Sequence, residues 1–168
     1  MQNLTLTLTL SRNLIAACAL LVSVLATAPA VAADTAPATP AAADKLATAR
    51  ALIAKPDWAG AITELQRLND SGNADWNNLM GYSQRKAKAP DYAAAERYYD
   101  AALRINPTHR GALEYSGELY LMLGQLPQAE ARLAALDKAC MMGCEEYTDL
   151  KKAVARFKAN GNKYVAAP

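Results

Sequence analysis

The sequence predicts an all-α protein, a right-handed solenoid of three helical hairpins followed by a capping helix. Three observations support this prediction. A motif recurs at a fixed interval of 34 residues, apolar residues within each copy are spaced by three and four, and an apolar stripe follows the last copy. Residues three or four apart share one face of a helix. A helical unit of this length cannot bury its apolar face alone, so neighbouring units must stack.

The repeat is visible when the chain is aligned with itself. Residues 57–61 (DWAGA) align with residues 91–95 (DYAAA) and with residues 125–129 (QLPQA), each time after a shift of 34 residues. Each copy ends on an alanine, and we expect two helices to approach closely there because the side chain is small. The first residue of two copies is an aspartate, Asp57 or Asp91. Aspartate is a favoured N-cap, so both are predicted to begin helices.

Composition and period together divide the chain into segments. The predicted order is a signal peptide at residues 1–32, an Ala/Pro-rich linker at 33–42, repeats at about 43–73, 74–109 and 110–143, a capping helix at 144–160 and a flexible tail at 161–168. The helices are predicted at about 43–54, 57–69, 74–88, 91–105, 108–123, 127–139 and 144–160. The apolar stripe of the last helix consists of Tyr147, Leu150, Val154 and Phe157. This stripe is expected to cover the end of the third repeat.

The repeated units resemble the tetratricopeptide repeat family. The residues that carry the resemblance are Gly81-Tyr82, Asp91-Tyr92, Ala95, Asn106-Pro107, Gly117, Tyr120, Gly124 and Ala129. Ala89 and Pro90 are interpreted as a two-residue insertion in the turn of the second repeat, since Gly81 and Gly117 are 36 residues apart. The resemblance covers about residues 42 to 143.

The resemblance also implies a binding surface. In this family the first helices of the hairpins line a concave face that holds a protein or peptide segment. The implied groove residues are Arg50, Asn78, Tyr82, Arg85, Glu114, Tyr115, Glu118 and Leu121. Mixed charge with two tyrosines suits a protein segment, so we expect a protein or peptide partner and a monomeric chain.

The first 32 residues are predicted to direct export. Arg12 is their only charged residue, residues 14–25 are apolar, and small residues precede a cut after Ala32. This pattern is typical of a cleaved secretory signal, and it predicts a periplasmic or secreted protein without a membrane anchor after cleavage. Two alternatives are a lipidated Cys18, which would cut the apolar segment in the wrong place, and an uncleaved anchor over residues 14–33.

Charge and composition argue against several functions. The chain has 18 Lys and Arg against 16 Asp and Glu, a net charge of +2, which is too small to predict nucleic-acid binding. Its single histidine, His109, cannot supply a multi-histidine metal site, and we interpret it as an exposed turn residue. Glu114 and Glu118 are interpreted as like charges on an exposed helix face rather than as a catalytic pair. We therefore expect no enzyme activity and no cofactor.

Cys140 and Cys144 flank a Met-Met-Gly segment between the last two predicted helices. An exported chain meets an oxidising compartment, so a disulfide is the favoured interpretation and no metal is assigned to the pair. The alternative is a metal or thiol-redox accessory protein, because two thiolates and the thioethers of Met141 and Met142 are soft ligands that suit Cu(I).

Overall fold

The computed structural model describes residues 44–165. These residues form seven α-helices and no strand, as the sequence predicts. The helices are α1 (Ala47–Ala54), α2 (Trp58–Leu68), α3 (Ala74–Lys86), α4 (Tyr92–Ile105), α5 (Arg110–Met122), α6 (Leu126–Ala139) and α7 (Glu145–Ala159). The proposed signal peptide and linker, residues 1–42, lie outside the described residues.

Polar side chains cap several of the helix starts. Asp57 accepts a hydrogen bond from the backbone N–H of Gly60 at 2.9 Å, and Asp91 accepts one from Ala94 at 2.8 Å. These bonds satisfy backbone donors that have no partner within the helix. Both aspartates were predicted to be caps, and the prediction is confirmed. Pro127 lies in the first turn of α6, where the missing N–H costs nothing.

The first helix begins four residues later than expected, at Ala47 rather than at residue 43. The carboxylate of Asp44 accepts a hydrogen bond from the backbone N–H of Leu46 at 2.9 Å, and residues 45–46 form a turn. A short polar side chain that bonds to the nearby backbone offers the chain an alternative to helix. This local bond therefore delays the start of α1.

Consecutive helices pair into three hairpins, α1 with α2, α3 with α4 and α5 with α6. The three alanines of the repeat, Ala61, Ala95 and Ala129, are fully buried, which confirms the predicted close approach. Gly81 is equally tight, because a Cβ there would lie 2.7 Å from the ring of Tyr99. The first-helix glycine of the repeat is thus needed for packing within the second hairpin.

The turn of the second hairpin is longer than the turns of the other two. Residues 87–91 connect α3 to α4, whereas residues 55–57 and 123–125 connect the helices of the first and third hairpins. The difference of two residues agrees with the predicted insertion at Ala89 and Pro90. The helices on either side keep their repeat spacing, so a solvent-exposed turn absorbs the extra length.

The apolar core consists of three clusters, each of which joins neighbouring elements. The first cluster contains residues of α1, α2 and α3, and the second contains residues of α4 and α5. The third and largest joins α5, α6 and α7. Leu150, Val154 and Phe157, from the predicted apolar stripe, are buried in it, and Tyr147 packs at its edge. The last helix therefore covers the third hairpin as expected.

Trp76 links the first hairpin to the second. Its side chain is buried, and its indole N–H donates to the carbonyl oxygen of Leu65 at 2.7 Å. Its ring meets the ring of Tyr98 edge to face, with centroids 5.9 Å apart. Trp76 therefore packs between the two hairpins.

Candidate functional site

Four side chains of α3 and α5 form one cluster on the first helices of the second and third hairpins. The ring centroids of Tyr82 and Tyr115 lie 4.6 Å apart. The guanidinium of Arg85 lies 5.5 Å from the centroid of Tyr82 and 5.6 Å from that of Tyr115, within range of cation–π attraction. Arg85 also pairs with Glu118, Nη1 to Oε2, at 2.8 Å. We call these four residues the aromatic–arginine cluster.

The spacing of the sequence explains why these residues meet. Tyr82 and Arg85 are three residues apart on α3, as Tyr115 and Glu118 are on α5, so each pair shares a helix face. The two helices occupy equivalent places in successive hairpins. Stacking of the hairpins therefore brings a tyrosine beside a tyrosine and an arginine beside a glutamate.

Arg85 is far more buried than the resemblance implied, with an exposed fraction of 5%. Burial by itself lowers the pKa of Arg85, but its interactions with Tyr99 and Glu118 outweigh burial and raise the pKa above its ordinary value. The arginine is thus permanently charged. Its Nε atom is buried without a hydrogen-bond partner. A charged group in this position is held by its ion pair and by two aromatic faces.

The cluster lines a cavity of about 310 Å³. The lining residues are Tyr82, Arg85, Lys86, Glu114, Tyr115, Glu118 and Tyr164. Five of the eight implied groove residues are therefore brought together. Lys86 and Tyr164 were not predicted. Lys86 follows Arg85 at the exposed end of α3, and Tyr164 belongs to no repeat.

Three implied groove residues do not line this cavity. Leu121 is fully buried in the largest apolar cluster, because α6 and α7 both cover that side of α5. Asn78 is buried in α3, where its amide lies close to Gly111 of the next hairpin. Arg50 is exposed, and it is held by ion pairs with Asp44 and Asp75 at 3.5 and 3.0 Å. The structure therefore does not place these three predicted groove residues in the cavity wall.

Asp75, which pairs with Arg50, also contacts His109. The Nε2 atom of His109 lies 2.9 Å from Asp75 Oδ1, and its Nδ1 accepts a hydrogen bond from the backbone N–H of Ala112 at 3.1 Å. His109 is therefore the N-cap of α5 and is partly buried, so the interpretation as an exposed turn residue is wrong. The chain Arg50, Asp75 and His109 ties together the first helices of all three hairpins.

A second, acidic cleft of about 290 Å³ lies between α5 and α7. It is lined by Glu114, Tyr115, Glu145, Glu146 and Asp149. Burial, followed by the charge of Glu118, raises the pKa of Glu114 to about 8. Among the described residues no cation pairs with Glu114, whereas Glu118 is neutralised by Arg85. The interpretation of these two glutamates as exposed is wrong, since both are partly buried.

Cys140 and Cys144 lie at disulfide distance, with their sulfur atoms 2.07 Å apart. Cys140 is buried in the largest apolar cluster, while Met141 and Met142 between them are 92% and 99% exposed. The ligand atoms of the two cysteines and of Glu146 lie within 4.8 Å of one another.

None of the helices in residues 44–165 is long and apolar enough to cross a membrane.

The fold is a helical-repeat solenoid, since its hairpins stack on one another through close-packed small residues. Residues 87–154 match the family model described as tetratricopeptide repeat, so this part of the chain is similar to that family. The match begins after α3 and ends within α7, so it includes most of the helix that was predicted only as a cap. The comparison with curated proteins gave no match. Repeats of this kind are protein-interaction scaffolds, since their stacking creates extended binding surfaces.

Proposed function

We propose that this protein is a non-enzymatic scaffold that binds a protein or peptide segment on the face formed by α3, α5 and the start of α7. The observation that carries this proposal is the aromatic–arginine cluster beside an acidic cleft. The cluster offers partly buried aromatic surface, and tyrosine and arginine are the residues that most often supply binding energy at protein interfaces. The binding surface continues from the cavity into the cleft through Tyr115 and Glu114, which line both.

The charge of this surface favours a partner with basic residues. Glu114 carries no ion pair within residues 44–165, and Glu145 and Glu146 stand next to it at the start of α7. Burial, followed by the charges of nearby acidic residues, raises the pKa of Glu114, and a partner cation would favour its charged form. Complementary charge would also speed the encounter and orient the segment.

The test uses substitutions that spare the buried arginine. Glu145→Lys with Tyr115→Ala changes one exposed and one partly buried residue of the binding surface. Lys138→Glu, on exposed surface of α6, is the matched control. A photo-crosslinker at position 86 should capture a protein that a crosslinker at position 138 does not. The double substitution should abolish that capture with unchanged helicity. Equal capture from both positions, or capture that survives the double substitution, would contradict the proposed surface.

We infer further that the chain is exported and cut after Ala32, as a periplasmic or secreted monomer. The support is the apolar stretch at residues 14–25 and the small residues before the cut. Sequencing the amino terminus of the mature protein tests the inference. A retained Met1 in the membrane fraction would overturn it.

The metal or thiol-redox alternative rests on the grouping of Cys140, Cys144 and Glu146. Cu(I) binding requires both sulfurs as thiolates, and a disulfide removes them. A thiol count on exported protein separates the two. No free thiol supports the scaffold, whereas two free thiols with stoichiometric Cu(I) binding support the alternative.

A further inference from the structure

The chain turns back after α7. Gly161 and Asn162 have φ values of 65° and 60°, in the left-handed region. The backbone N–H of Asn162 donates to the carbonyl oxygen of Phe157 at 3.0 Å, and that of Gly161 donates to Lys158 at 3.2 Å. This pair of bonds is the Schellman motif, which ends a helix and reverses the chain, and glycine suits its left-handed position. Residues 161–165, which were predicted to belong to a flexible tail, turn back in this way, and residues 166–168 lie outside the described part of the chain.

The reversal brings Tyr164 onto the proposed binding surface. Its side chain is partly buried, packs against the apolar cluster of α5, α6 and α7, and forms part of the cavity wall beside the aromatic–arginine cluster. The amide of Asn160 donates to the carbonyl oxygen of Lys163 at 3.3 Å and holds the turned segment. Burial, followed by the charge of Glu118, raises the pKa of Tyr164, which agrees with its position beside the cavity.

We propose that residues 161–165 are an internal ligand of the concave face, and that a partner segment must displace Tyr164 to place its own aromatic side chain in the same position. The proposal rests on the proposed function, because it assigns the occupant of the same surface. The proposal implies that the partner segment has an aromatic residue next to a basic one. The internal segment has that pattern, since Lys163 precedes Tyr164.

The cavity supports this chemistry in two ways. Tyr82 and Tyr115 supply aromatic walls, and aromatic pairs gain energy beyond the area they bury. Arg85 and Glu118 supply charged groups that suit the polar end of a tyrosine. The cavity continues through Glu114 into the acidic cleft, where the carboxylates of Glu145, Glu146 and Asp149 would offer a neighbouring lysine or arginine a counter-charge.

The test measures binding of a synthetic peptide with the sequence of residues 159–168, ANGNKYVAAP, to the full chain by NMR. In a Tyr164→Ala chain the peptide should give saturable shifts at the amides around Tyr82 and Tyr115. Binding to the parent chain should be about tenfold weaker, because Tyr164 is expected to leave the surface unoccupied in only about one molecule in ten. A peptide with alanine in place of tyrosine should give no such shifts.

Two further variants control for changes in packing. Tyr164→Phe keeps the ring and should bind the peptide more like the parent than like Tyr164→Ala. Val165→Ala changes an exposed neighbour and should leave binding as in the parent. Equal binding of the peptide to the parent and to Tyr164→Ala, or no saturable binding to Tyr164→Ala, overturns the internal ligand. Suppose that Tyr115→Ala abolishes capture of the partner at position 86, but that the affinity of this partner is the same for the parent and for Tyr164→Ala. The proposed binding surface would then be supported, and only the internal ligand would be refuted.

Discussion

Arg85 and Glu118 form a partly buried ion pair, 2.8 Å from Nη1 to Oε2, that joins the second hairpin to the third. The two side chains are 4% and 22% exposed, so water screens their attraction only weakly. Tyr82 and Tyr115 cover the guanidinium. The same arginine therefore serves both the packing between repeats and the proposed binding surface.

Removing the arginine charge should destabilise the fold. Arg85→Met keeps much of the apolar stem but leaves Glu118 without its cation, and we expect a loss of about 3 kcal/mol in the free energy of unfolding. Adding Glu118→Leu should recover most of that loss, because no buried charge then remains unpaired. Urea unfolding followed by circular dichroism measures both. As a control, Lys158→Met removes an exposed ion pair with Glu130 and should cost less than about 1 kcal/mol. Equal stability of the single and double variants would show that the pair is not coupled.

Gly81 should tolerate no side chain. A Cβ there would lie 2.7 Å from the Tyr99 ring and 3.1 Å from the carbonyl oxygen of Ala95, and neither group has room to move. We expect Gly81→Ala to cost about 1–3 kcal/mol. Gly72→Ala is the matched control, since no atom lies within 4 Å of a Cβ added there. This substitution should leave the free energy of unfolding unchanged or raise it. Thermal unfolding of both variants tests this, and a stabilising Gly81→Ala would refute the close approach.

Glu114 should make the fold less stable as the pH rises. The pKa of Glu114 is raised from the ordinary 4.5 to about 8 in the folded state, so the folded state holds a proton that the unfolded chain releases. Its contribution to stability is present below about pH 4.5 and is lost as the pH rises through about 8. Glu114→Gln should flatten the decline in this window, whereas Glu130→Gln, at an exposed pair, should not. Unfolding curves across the window measure the slopes, and parallel slopes for parent and Glu114→Gln would count against the shift.

The bond between Cys140 and Cys144 should stabilise the end of the solenoid only. Cys140→Ala with Cys144→Ala should cost no more than about 2 kcal/mol, because a short loop restricts few unfolded conformations. Alanine avoids placing a hydroxyl group in the buried site of Cys140. Hydrogen exchange should speed up mainly in residues 144–160. Faster exchange throughout the first two hairpins would mean that the bond supports the whole fold.

The hairpins could be predicted from the sequence because the fold repeats itself. Ala61, Ala95 and Ala129 are alike in sequence and alike in burial, since each meets the same neighbouring helix surface. The burial of Arg85 could not be predicted in the same way. It depends on a glutamate and a tyrosine of the next hairpin, and a charged residue on a first helix is normally expected to face solvent.

The position of Tyr164 could not be predicted from the sequence either, for a different reason. It follows the last helix and matches no repeat position, so periodicity carries no information about it. Its location depends on the turn at Gly161 and Asn162, a geometry that a glycine and an asparagine permit but do not require. His109 was missed because its capping role depends on a side-chain nitrogen, which is uncommon compared with an aspartate or serine cap.

The uneven core has a consequence for the nascent chain. Ribosomes release the first hairpin first, yet its cluster also needs Trp76, Leu79 and Met80 from α3, and the largest cluster is complete only with Phe157. We expect the growing polypeptide to stay loosely ordered and open to chaperones during most of its synthesis. Native rigidity should then arrive late, when α7 packs against α5 and α6.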